Sequence, residues 1–196
     1  MVNQLKFKGI LIVISSPSGA GKTSLANSIV EENENISFST SVTTRPPRDG
    51  EKNGREYHFV EKDQFNLMIK NKRFIEYAEV FGNYYGTPKD QIEKLLNDGK
   101  DIIFDVDWQG GTKIRNSYLS PLVVSVFILP PSIKTLHERL LNRNKDDDKT
   151  VKLRMKESRS EISHWSEYEY IIINDNFEKV KKNIVKIIEI EKMRRN

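Results

Sequence analysis

The 196-residue chain contains no cysteine, so disulfide bridges, thiolate metal ligands and thiol nucleophiles are all excluded. Its longest apolar runs have only the length of a strand, which argues against a transmembrane span. The three histidines, His58, His137 and His164, lack the spacing of a metal site. The composition therefore predicts a soluble domain in a reducing cytoplasm.

The charge balance is only slightly basic. The chain has 32 lysine and arginine residues against 28 acidic residues, which gives a net charge of +4 and a pI of about 9.1. This excess favours anionic ligands, but no basic stripe with interleaved aromatic residues points to nucleic acid. The apolar stretch behind Lys6 and Lys8 runs directly into a glycine-rich loop, so we expect no signal peptide. The lysine-rich last helix has one apolar face, which favours packing over membrane binding.

Apolar runs alternate with helical patterns along the chain. Near-continuous apolar runs predict buried parallel strands at residues 10–15, 101–106, 122–129 and 168–173. Helical patterns occupy residues 23–32, 89–97, 132–141, 151–163 and 177–192. This alternation predicts an α/β fold with a doubly wound parallel sheet, whose ligands bind at the carboxyl ends of the strands.

Residues 37–87 interrupt the alternation. Short strand patterns at residues 38–43, 57–60 and 74–81, and a helix at 62–70, predict an inserted small α+β lobe with an antiparallel sheet. The polar residues 142–149 predict a mobile loop or lid. We therefore predict a single domain over residues 1–196. Its parts are a core of residues 1–36, 88–139 and 156–196, a lobe of residues 37–87 and a lid of residues 140–155.

The most informative motif lies between the first strand and the first helix, where residues 16–23 read S-P-S-G-A-G-K-T. Gly19 and Gly21 let the backbone curl so that successive N–H groups point at one anion, and the helix N-terminus adds partial positive charge. Lys22 can reach the β- and γ-phosphates of a nucleotide, and the Thr23 hydroxyl can bind Mg²⁺. Ser16 stands where the general pattern has glycine, and a small residue suits that turn. The predicted phosphate loop comprises Ser16, Pro17, Ser18, Gly19, Ala20, Gly21, Lys22 and Thr23.

A second anion-binding pattern begins at Thr43 and reads T-T-R-P-P-R-D-G-E-K-N-G-R-E-Y-H-F-V. Arg45 and Arg48 flank two prolines, which stiffen the turn and limit the entropy lost on holding the guanidinium groups. Two such groups suit a phosphate dianion. The Tyr57 phenol is available to the same anion.

These motifs resemble the guanylate kinase family, whose members transfer a phosphoryl group from ATP to GMP. The spacing T-T-R-x-x-R-x-x-E-x-x-G-x-x-Y-x-F-V is matched at every fixed position, and the resemblance covers nearly the whole chain. Further family motifs follow in order: F-I-E-Y from Phe74, G-N-Y-Y-G-T from Gly82, D-V-D-W-Q-G from Asp105, P-P-S from Pro130, E-I-S-H-W from Glu161 and I-N-D from Ile173.

The resemblance implies a role for individual residues. It implies GMP binding by Ser41, Arg45, Arg48, Glu51, Tyr57, Glu76, Tyr85, Gly86, Thr87, Asp105 and Asp107. It implies ATP binding by the phosphate loop together with Asn174 and Asp175, which lie near the adenine. The implied catalytic residues are Lys22, Arg45, Arg139, Arg143 and Arg154, the last three in the lid. It also implies Mg²⁺ at Thr23, with Asp105 acting through water.

The chemistry of Glu76 supports guanine as the base. An ionised carboxylate only accepts hydrogen bonds, and guanine offers two adjacent donors, N1–H and the 2-amino group. Adenine would leave that carboxylate unpaired, which rejects the wrong base by about 10⁴ or more.

The lid departs from the family pattern. Relatives often carry R-G-R-G, where this chain has Leu141, Asn142, Arg143 and Asn144. Residues 146–149 read D-D-D-K in place of the usual acidic pair. The arginines are retained, so the predicted activity stands.

Two other functions remain open at this point. Guanylate-kinase-like domains also serve as non-catalytic binding modules, although those typically have degraded phosphate loops. The fold also suits kinases for other small phosphate acceptors, such as AMP or a ribose bisphosphate. For either kinase we expect ATP and the acceptor as small-molecule partners, no nucleic acid or membrane, and a monomer or small homo-oligomer.

Overall fold

The computed structural model describes residues 7–80, 82–141 and 148–195. The strands in these residues are β1 (Leu11–Ser15), β2 (Ile36–Phe38), β3 (Val42–Thr43), β4 (His58–Phe59), β5 (Phe74–Val80), β6 (Asn83–Pro88), β7 (Asp101–Asp105), β8 (Val123–Leu129) and β9 (Tyr170–Ile173). The α-helices are α1 (Lys22–Glu32), α2 (Lys62–Lys70), α3 (Lys89–Asn97), α4 (Trp108–Arg115), α5 (Ile133–Leu141), α6 (Asp148–Ile162) and α7 (Phe177–Arg195).

The larger sheet has five parallel strands in the order β2-β7-β1-β8-β9. Its central strand β1 is buried along its whole length, because helices cover both faces. Ile12 and Ile14 point to the face packed against α1 and α7, whereas Leu11 and Val13 point to the face packed against α3 and α4. The α/β fold with a parallel sheet is therefore confirmed.

The parallel arrangement brings the ends of distant strands together. β1 ends at Ser15, β7 at Asp105 and β9 at Ile173, all at the carboxyl edge of the larger sheet. The phosphate loop, Asp105 and Asn174 follow or finish these strands. They consequently meet at one edge of the sheet, where ligands bind in open α/β folds.

The smaller sheet has four strands in the order β4-β3-β6-β5. The prediction of an antiparallel sheet is wrong at one pair, because β3 and β4 run parallel. The other two pairs, β3 with β6 and β5 with β6, are antiparallel. A small apolar cluster of Val42, Phe65 and Phe74 joins this sheet to α2.

Three elements, β2, α4 and β6, were not predicted as such from the sequence. The predicted strand 38–43 is divided, since β2 pairs with β7 in the larger sheet while β3 belongs to the smaller one. Helix α4 contains Gly110 and Gly111, which lower helix propensity, and β6 contains Gly86 and a terminal Pro88, which weaken a strand pattern. Tertiary packing overrides these local preferences.

Most predicted boundaries of the other elements agree with the structure to within about two residues. Helices α2 and α3 match their predicted ranges, and α7 extends three residues further, to Arg195. The predicted strand 74–81 appears as β5, with residue 81 outside the described residues. Of the predicted loop or lid at 142–149, residues 142–147 also lie outside them. Within the described residues, none of the helices has the length and apolar character needed to cross a bilayer.

Candidate functional site

The phosphate loop has the backbone geometry of an anion cradle. Gly19 has φ of 88° and Gly21 has φ of 92°, both in the left-handed region that favours glycine. The Ala20 N–H donates to the Pro17 carbonyl at 3.1 Å, which closes a tight turn, and α1 begins at Lys22. The loop therefore leads directly into a helix N-terminus, where free N–H groups and the helix dipole attract anions.

Asp105 holds the two chemically active side chains of this loop. The Thr23 hydroxyl donates to Asp105 Oδ2 at 2.5 Å, and the Lys22 ammonium forms an ion pair with Asp105 Oδ1. Burial lowers the pKa of Lys22 to about 8, against the opposing effect of the Asp107 and Glu161 carboxylates. An added anion would favour the charged form of Lys22, so the loop is prepared for a phosphate ligand.

The donor set at this end fits Mg²⁺ rather than a metal held by protein alone. Mg²⁺ prefers oxygen ligands, keeps several waters and binds through one or two protein groups together with substrate phosphates. The Thr23 hydroxyl and the Asp105 carboxylate offer oxygens of this kind side by side. Among the described residues there is no cluster of three or more histidine, cysteine or acidic groups that could hold a metal by itself.

A cavity of about 760 Å³ lies above the phosphate loop and brings together several predicted site residues. Arg48 reaches it from the arginine-containing turn, Asp107 from the start of α4, Arg139 from α5 and Arg154 from α6. Together with Lys22, the cavity walls thus carry cationic groups from four separate parts of the chain. The predicted catalytic residue Arg143 lies outside the described residues.

Glu51 organises the arginine-containing turn. Its two carboxylate oxygens accept from Arg45 Nη2 at 2.8 and 3.0 Å, and one of them also accepts from the Arg48 N–H at 2.7 Å. The side-chain hydrogen bond from Arg45, reinforced by the Arg48 N–H, lowers the pKa of Glu51. Glu51 was predicted as a GMP-binding residue, and in this structure its carboxylate is engaged with the turn itself.

Aromatic side chains surround the Arg45 guanidinium. Its Cζ lies 5.4 Å from the Tyr57 ring centre and 5.8 Å from that of Phe59. The Tyr57 and Tyr85 rings meet edge to face at 5.9 Å. Burial raises the pKa of Tyr57, so its hydroxyl stays protonated and can donate to an anion.

Glu76 and Thr87 form a buried polar pair on β5 and β6. They face each other across the antiparallel ladder, and the Thr87 hydroxyl donates to Glu76 Oε1 at 2.8 Å. Glu76 is only 8% exposed, and this burial raises the pKa of its carboxyl despite the Thr87 hydrogen bond and the Lys113 charge. The second carboxylate oxygen can accept from a ligand. The pair has the acceptor chemistry that a guanine edge requires.

Other predicted GMP-binding residues have structural contacts of their own. The Asp107 carboxylate caps α4 by accepting from the Gly110 N–H at 2.7 Å. The Ser41 carbonyl accepts from the His58 N–H at 2.9 Å, and a Cβ on Gly86 would lie 2.8 Å from the Phe74 ring. Gly86 is therefore needed for close packing of the lobe.

The two residues predicted near the adenine differ in their surroundings. Asn174 is 5% exposed, and its Nδ2 donates to the Ala20 carbonyl of the phosphate loop at 2.7 Å. Asp175 is largely exposed and lies 3.7 Å from the Lys179 ammonium. The structure therefore brings Asn174, but not the Asp175 side chain, against the phosphate loop.

Two acidic residues of α6 were not predicted as site residues. Glu157 and Glu161 line the cavity, and Glu161 Oε2 accepts from the Ser18 N–H of the phosphate loop at 3.0 Å. Burial raises the pKa of Glu161, opposed by that hydrogen bond and the Lys22 charge. Their spacing of four residues places both on one helix face, which was the available sequence signal.

Comparisons with known proteins agree over nearly the whole chain. A family model described as guanylate kinase matches residues 8–191. A guanylate kinase of Rickettsia felis is 47% identical over 188 residues, which cover 96% of this chain and 97% of that protein. For a guanylate kinase of Cereibacter sphaeroides the identity is 46% over 189 residues, covering 96% and 90%. The crystal structure of guanylate kinase from Anaplasma phagocytophilum has a TM-score of 0.78 and 38% identity, covering 96% and 88%.

Proposed function

The chain belongs to the guanylate kinase family, and on this premise we propose that it transfers the γ-phosphoryl group of ATP to GMP, giving ADP and GDP. dGMP is proposed as a second acceptor, and Mg²⁺ as the metal that accompanies ATP. The observation that carries the proposal is the shared cavity above the phosphate loop. Lys22, Arg48, Arg139 and Arg154 line one space of about 760 Å³, which is suited to two phosphorylated ligands.

The donor phosphates bind at the phosphate loop in this proposal. Its N–H groups and the N-terminus of α1 hold the β- and γ-phosphates, and the Lys22 ammonium offsets their negative charge. Thr23 and Asp105 are the residues that would hold Mg²⁺ directly and through water. When bound, Mg²⁺ supplies charge neutralisation to the phosphate oxygens.

The acceptor binds with its phosphate at the arginine-containing turn and its base at the buried pair. Arg45 and Arg48 grip the phosphate, with Tyr57 and Tyr85 donating their hydroxyls. Glu76 accepts from guanine N1–H and the 2-amino group. Phosphoryl transfer needs positioning and charge stabilisation more than covalent chemistry, so the arginines Arg139 and Arg154 complete the site by stabilising the transferring group.

Parallel assays with purified protein test this function. ATP and Mg²⁺ are supplied with GMP, dGMP, AMP, UMP or ribose 1,5-bisphosphate, and ADP formation is followed. We expect turnover with GMP and dGMP alone. Turnover on another acceptor would still show a kinase, but it would overturn the proposed recognition of guanine. The absence of turnover by folded protein would favour a non-catalytic binding module.

A variant of Lys22 tests the assignment of the phosphate loop. Lys22→Ala removes the ammonium that offsets the phosphate charge, so turnover should be almost completely lost while GMP binding persists. Near-normal turnover in this variant would contradict the assignment of the phosphate loop.

We further propose a cytoplasmic enzyme that is a monomer or a small homo-oligomer. Its core, GMP-binding lobe and lid are proposed at the boundaries given above, with the lobe at residues 37–87 and the lid at 140–155. Light scattering coupled to size-exclusion chromatography measures the oligomeric state. Limited proteolysis with and without nucleotides tests whether the lid region changes its protection.

A further inference from the structure

Asn174 connects the end of the larger sheet to the phosphate loop. It directly follows β9, and its N–H donates to the Leu129 carbonyl at the end of β8 at 2.8 Å. Its side chain is almost fully buried, and Nδ2 donates to the Ala20 carbonyl at 2.7 Å. The amide is therefore held by the sheet on one side and holds the loop on the other.

Arg139 contacts the same two residues. Its Nη1 lies 3.4 Å from the Ala20 carbonyl oxygen, and its Nη2 lies 3.3 Å from the Asn174 carbonyl oxygen. The Ala20 carbonyl thus accepts from two side chains, one from the residue that follows β9 and one from α5. Of the two contacts, the one from Asn174 is shorter by 0.7 Å, so Asn174 makes the stronger hydrogen bond.

This carbonyl matters because of the planar peptide bond. In a trans peptide the C=O of one residue and the N–H of the next point in opposite directions. When Asn174 holds the Ala20 carbonyl towards the protein interior, it also fixes the Gly21 N–H on the opposite side of the peptide. Gly21 lines the cavity above the loop, where a phosphate would lie.

Gly21 and Asn174 also fit each other closely. A Cβ built on Gly21 would lie 2.8 Å from Asn174 Nδ2, which is closer than side-chain atoms approach in practice. The glycine is needed for its φ of 92° and also for the space that the amide occupies. The contact is consequently part of how this loop is built.

We propose that Asn174 is a positioning residue of the phosphate loop, and that it sets affinity for the donor polyphosphate whatever the attached base. Arg139 assists it through the same carbonyl. The proposal rests on the proposed function only in that the loop binds the donor phosphates. It differs from a role at the adenine, which the family resemblance implies, because an adenine contact would affect only ligands that contain the base.

Binding of inorganic tripolyphosphate separates these two roles. Its dissociation constant in the presence of Mg²⁺ is measured by calorimetry beside those of ATP and GMP, for the wild type and Asn174→Ala. Loss of one buried hydrogen bond should weaken tripolyphosphate and ATP by the same factor, about tenfold, and leave GMP unchanged. The KM for ATP should rise in parallel while the KM for GMP is retained.

Two further variants make the result decisive. Asn174→Asp keeps the shape of the side chain but replaces the donor with a carboxylate that repels the Ala20 carbonyl, so it should weaken tripolyphosphate at least as strongly. Asn176→Ala is the matched control, because it removes a hydrogen bond of 3.0 Å to the Lys179 N–H without contact to the loop. It should lower thermal stability and leave tripolyphosphate affinity unchanged.

The possible failures are distinguishable. If both Asn174 variants weaken ATP but bind tripolyphosphate like the wild type, Asn174 acts at the adenine and the proposal is overturned. If both variants bind ATP and tripolyphosphate normally, the contact has no positioning role. If wild-type protein binds neither ATP nor tripolyphosphate, it is the proposed function of the loop that fails.

Discussion

Glu76 shows how one carboxylate combines a stability penalty with selective binding. It is almost buried, and its Oε1 accepts from the Thr87 hydroxyl at 2.8 Å. Burial raises its pKa, which means that ionising it in the free protein is unfavourable. Two guanine donors would satisfy the ionised carboxylate. Ligand binding therefore offsets the cost of burying its charge, which the contacts of the free protein leave uncompensated.

The pH dependence of GMP binding should report this carboxylate. As the pH falls towards the raised pKa of Glu76, the carboxyl gains a proton and can accept fewer hydrogen bonds. The KM for GMP should therefore begin to rise at a pH above 4.5, the ordinary pKa of a glutamate carboxyl. Steady-state kinetics from pH 5 to 8 measure this rise. Glu76→Gln serves as the control, since its KM should be higher throughout and lack that titration.

The same variant should be more stable than the wild type without ligand. Because the folded-state pKa of Glu76 is raised, its contribution to stability is present at low pH and is lost as the pH rises through that pKa. At pH 7 the neutral Gln avoids the burial of charge, so Tm should rise by a few degrees. A lower Tm for Glu76→Gln at pH 7 would contradict this account.

Glu51 is predicted to act on GMP through Arg45. Glu51→Gln keeps the length of the side chain but weakens the charge-assisted hydrogen bonds to Arg45, which lie at 2.8 and 3.0 Å. The KM for GMP should rise by roughly tenfold, since such bonds contribute about 1.5–3 kcal/mol. The KM for ATP is the internal control, and an equal rise in both would indicate a general loss of folding.

At the scale of elements, α4 anchors the end of α6. The rings of Trp108 and His164 stack with centres 3.6 Å apart and planes at 8°. Further along the same helix, Arg115 binds the Glu167 carboxylate at 2.9 Å, and Glu167 also contacts His164 Nδ1 at 2.5 Å. The segment that follows α6 is thus held to one face of α4, while α6 itself carries residues that line the cavity.

Removing the ring stack should loosen α6. His164→Ala should lower kcat several-fold because Arg154 on α6 is less well positioned, whereas His164→Phe keeps a stacking ring and should retain most of the activity. The chain has two tryptophans, so Trp165→Phe leaves Trp108 as the single tryptophan, whose emission can be excited selectively at about 295 nm, beyond the limit of tyrosine absorption. A Trp108 emission spectrum unchanged by His164→Ala would contradict the stack.

The same elements show what the sequence could and could not predict. β1, β7 and α1 were predictable because continuous apolar runs and a phosphate-loop motif coincide with their boundaries. α4 was missed because Gly110 and Gly111 lower helix propensity. Gly111 is kept by packing, since a Cβ there would lie 2.6 Å from the Tyr168 hydroxyl oxygen. The hydrogen bonds from the Ser18 N–H to Glu161 and from Asn174 Nδ2 to the Ala20 carbonyl join residues more than 140 positions apart, so the local sequence pattern contains no sign of them.

At the scale of the whole molecule, the buried carboxylate of Glu191 connects α7 to the core. Glu191 is 2% exposed and accepts from the Tyr170 hydroxyl at 2.6 Å, with Arg194 and Arg195 within 3.2 Å. Burial by itself would raise the pKa of Glu191, but the hydrogen bonds from Tyr170 and Arg195 lower it overall. None of these residues lines the cavity above the phosphate loop, and the bond from Tyr170 joins the last helix to β9.

Glu191 should therefore affect stability without affecting catalysis. Glu191→Ala removes the acceptor of the Tyr170 hydroxyl and one acceptor of Arg195, which keeps the Pro121 and Val123 carbonyls. The free energy of unfolding should therefore fall by about 1–3 kcal/mol, with both KM values unchanged. Urea denaturation measures this loss. Because the folded pKa of Glu191 is lowered, the wild type should lose its advantage as the pH falls below about 4.5, and the two proteins should converge there.

The hydrogen bond between Ala20 and Asn174 spans 154 positions of the chain. During synthesis the phosphate loop leaves the ribosome long before β9 and Asn174 do. The Ala20 carbonyl therefore lacks this hydrogen-bond donor until Asn174 has been synthesised. Nascent chains that stop before β9 would carry the complete loop motif yet lack the strand that orients it. If Asn174 positions the loop as proposed, such chains should bind ATP more weakly than the complete chain does, so nucleotide binding becomes a late event in biogenesis.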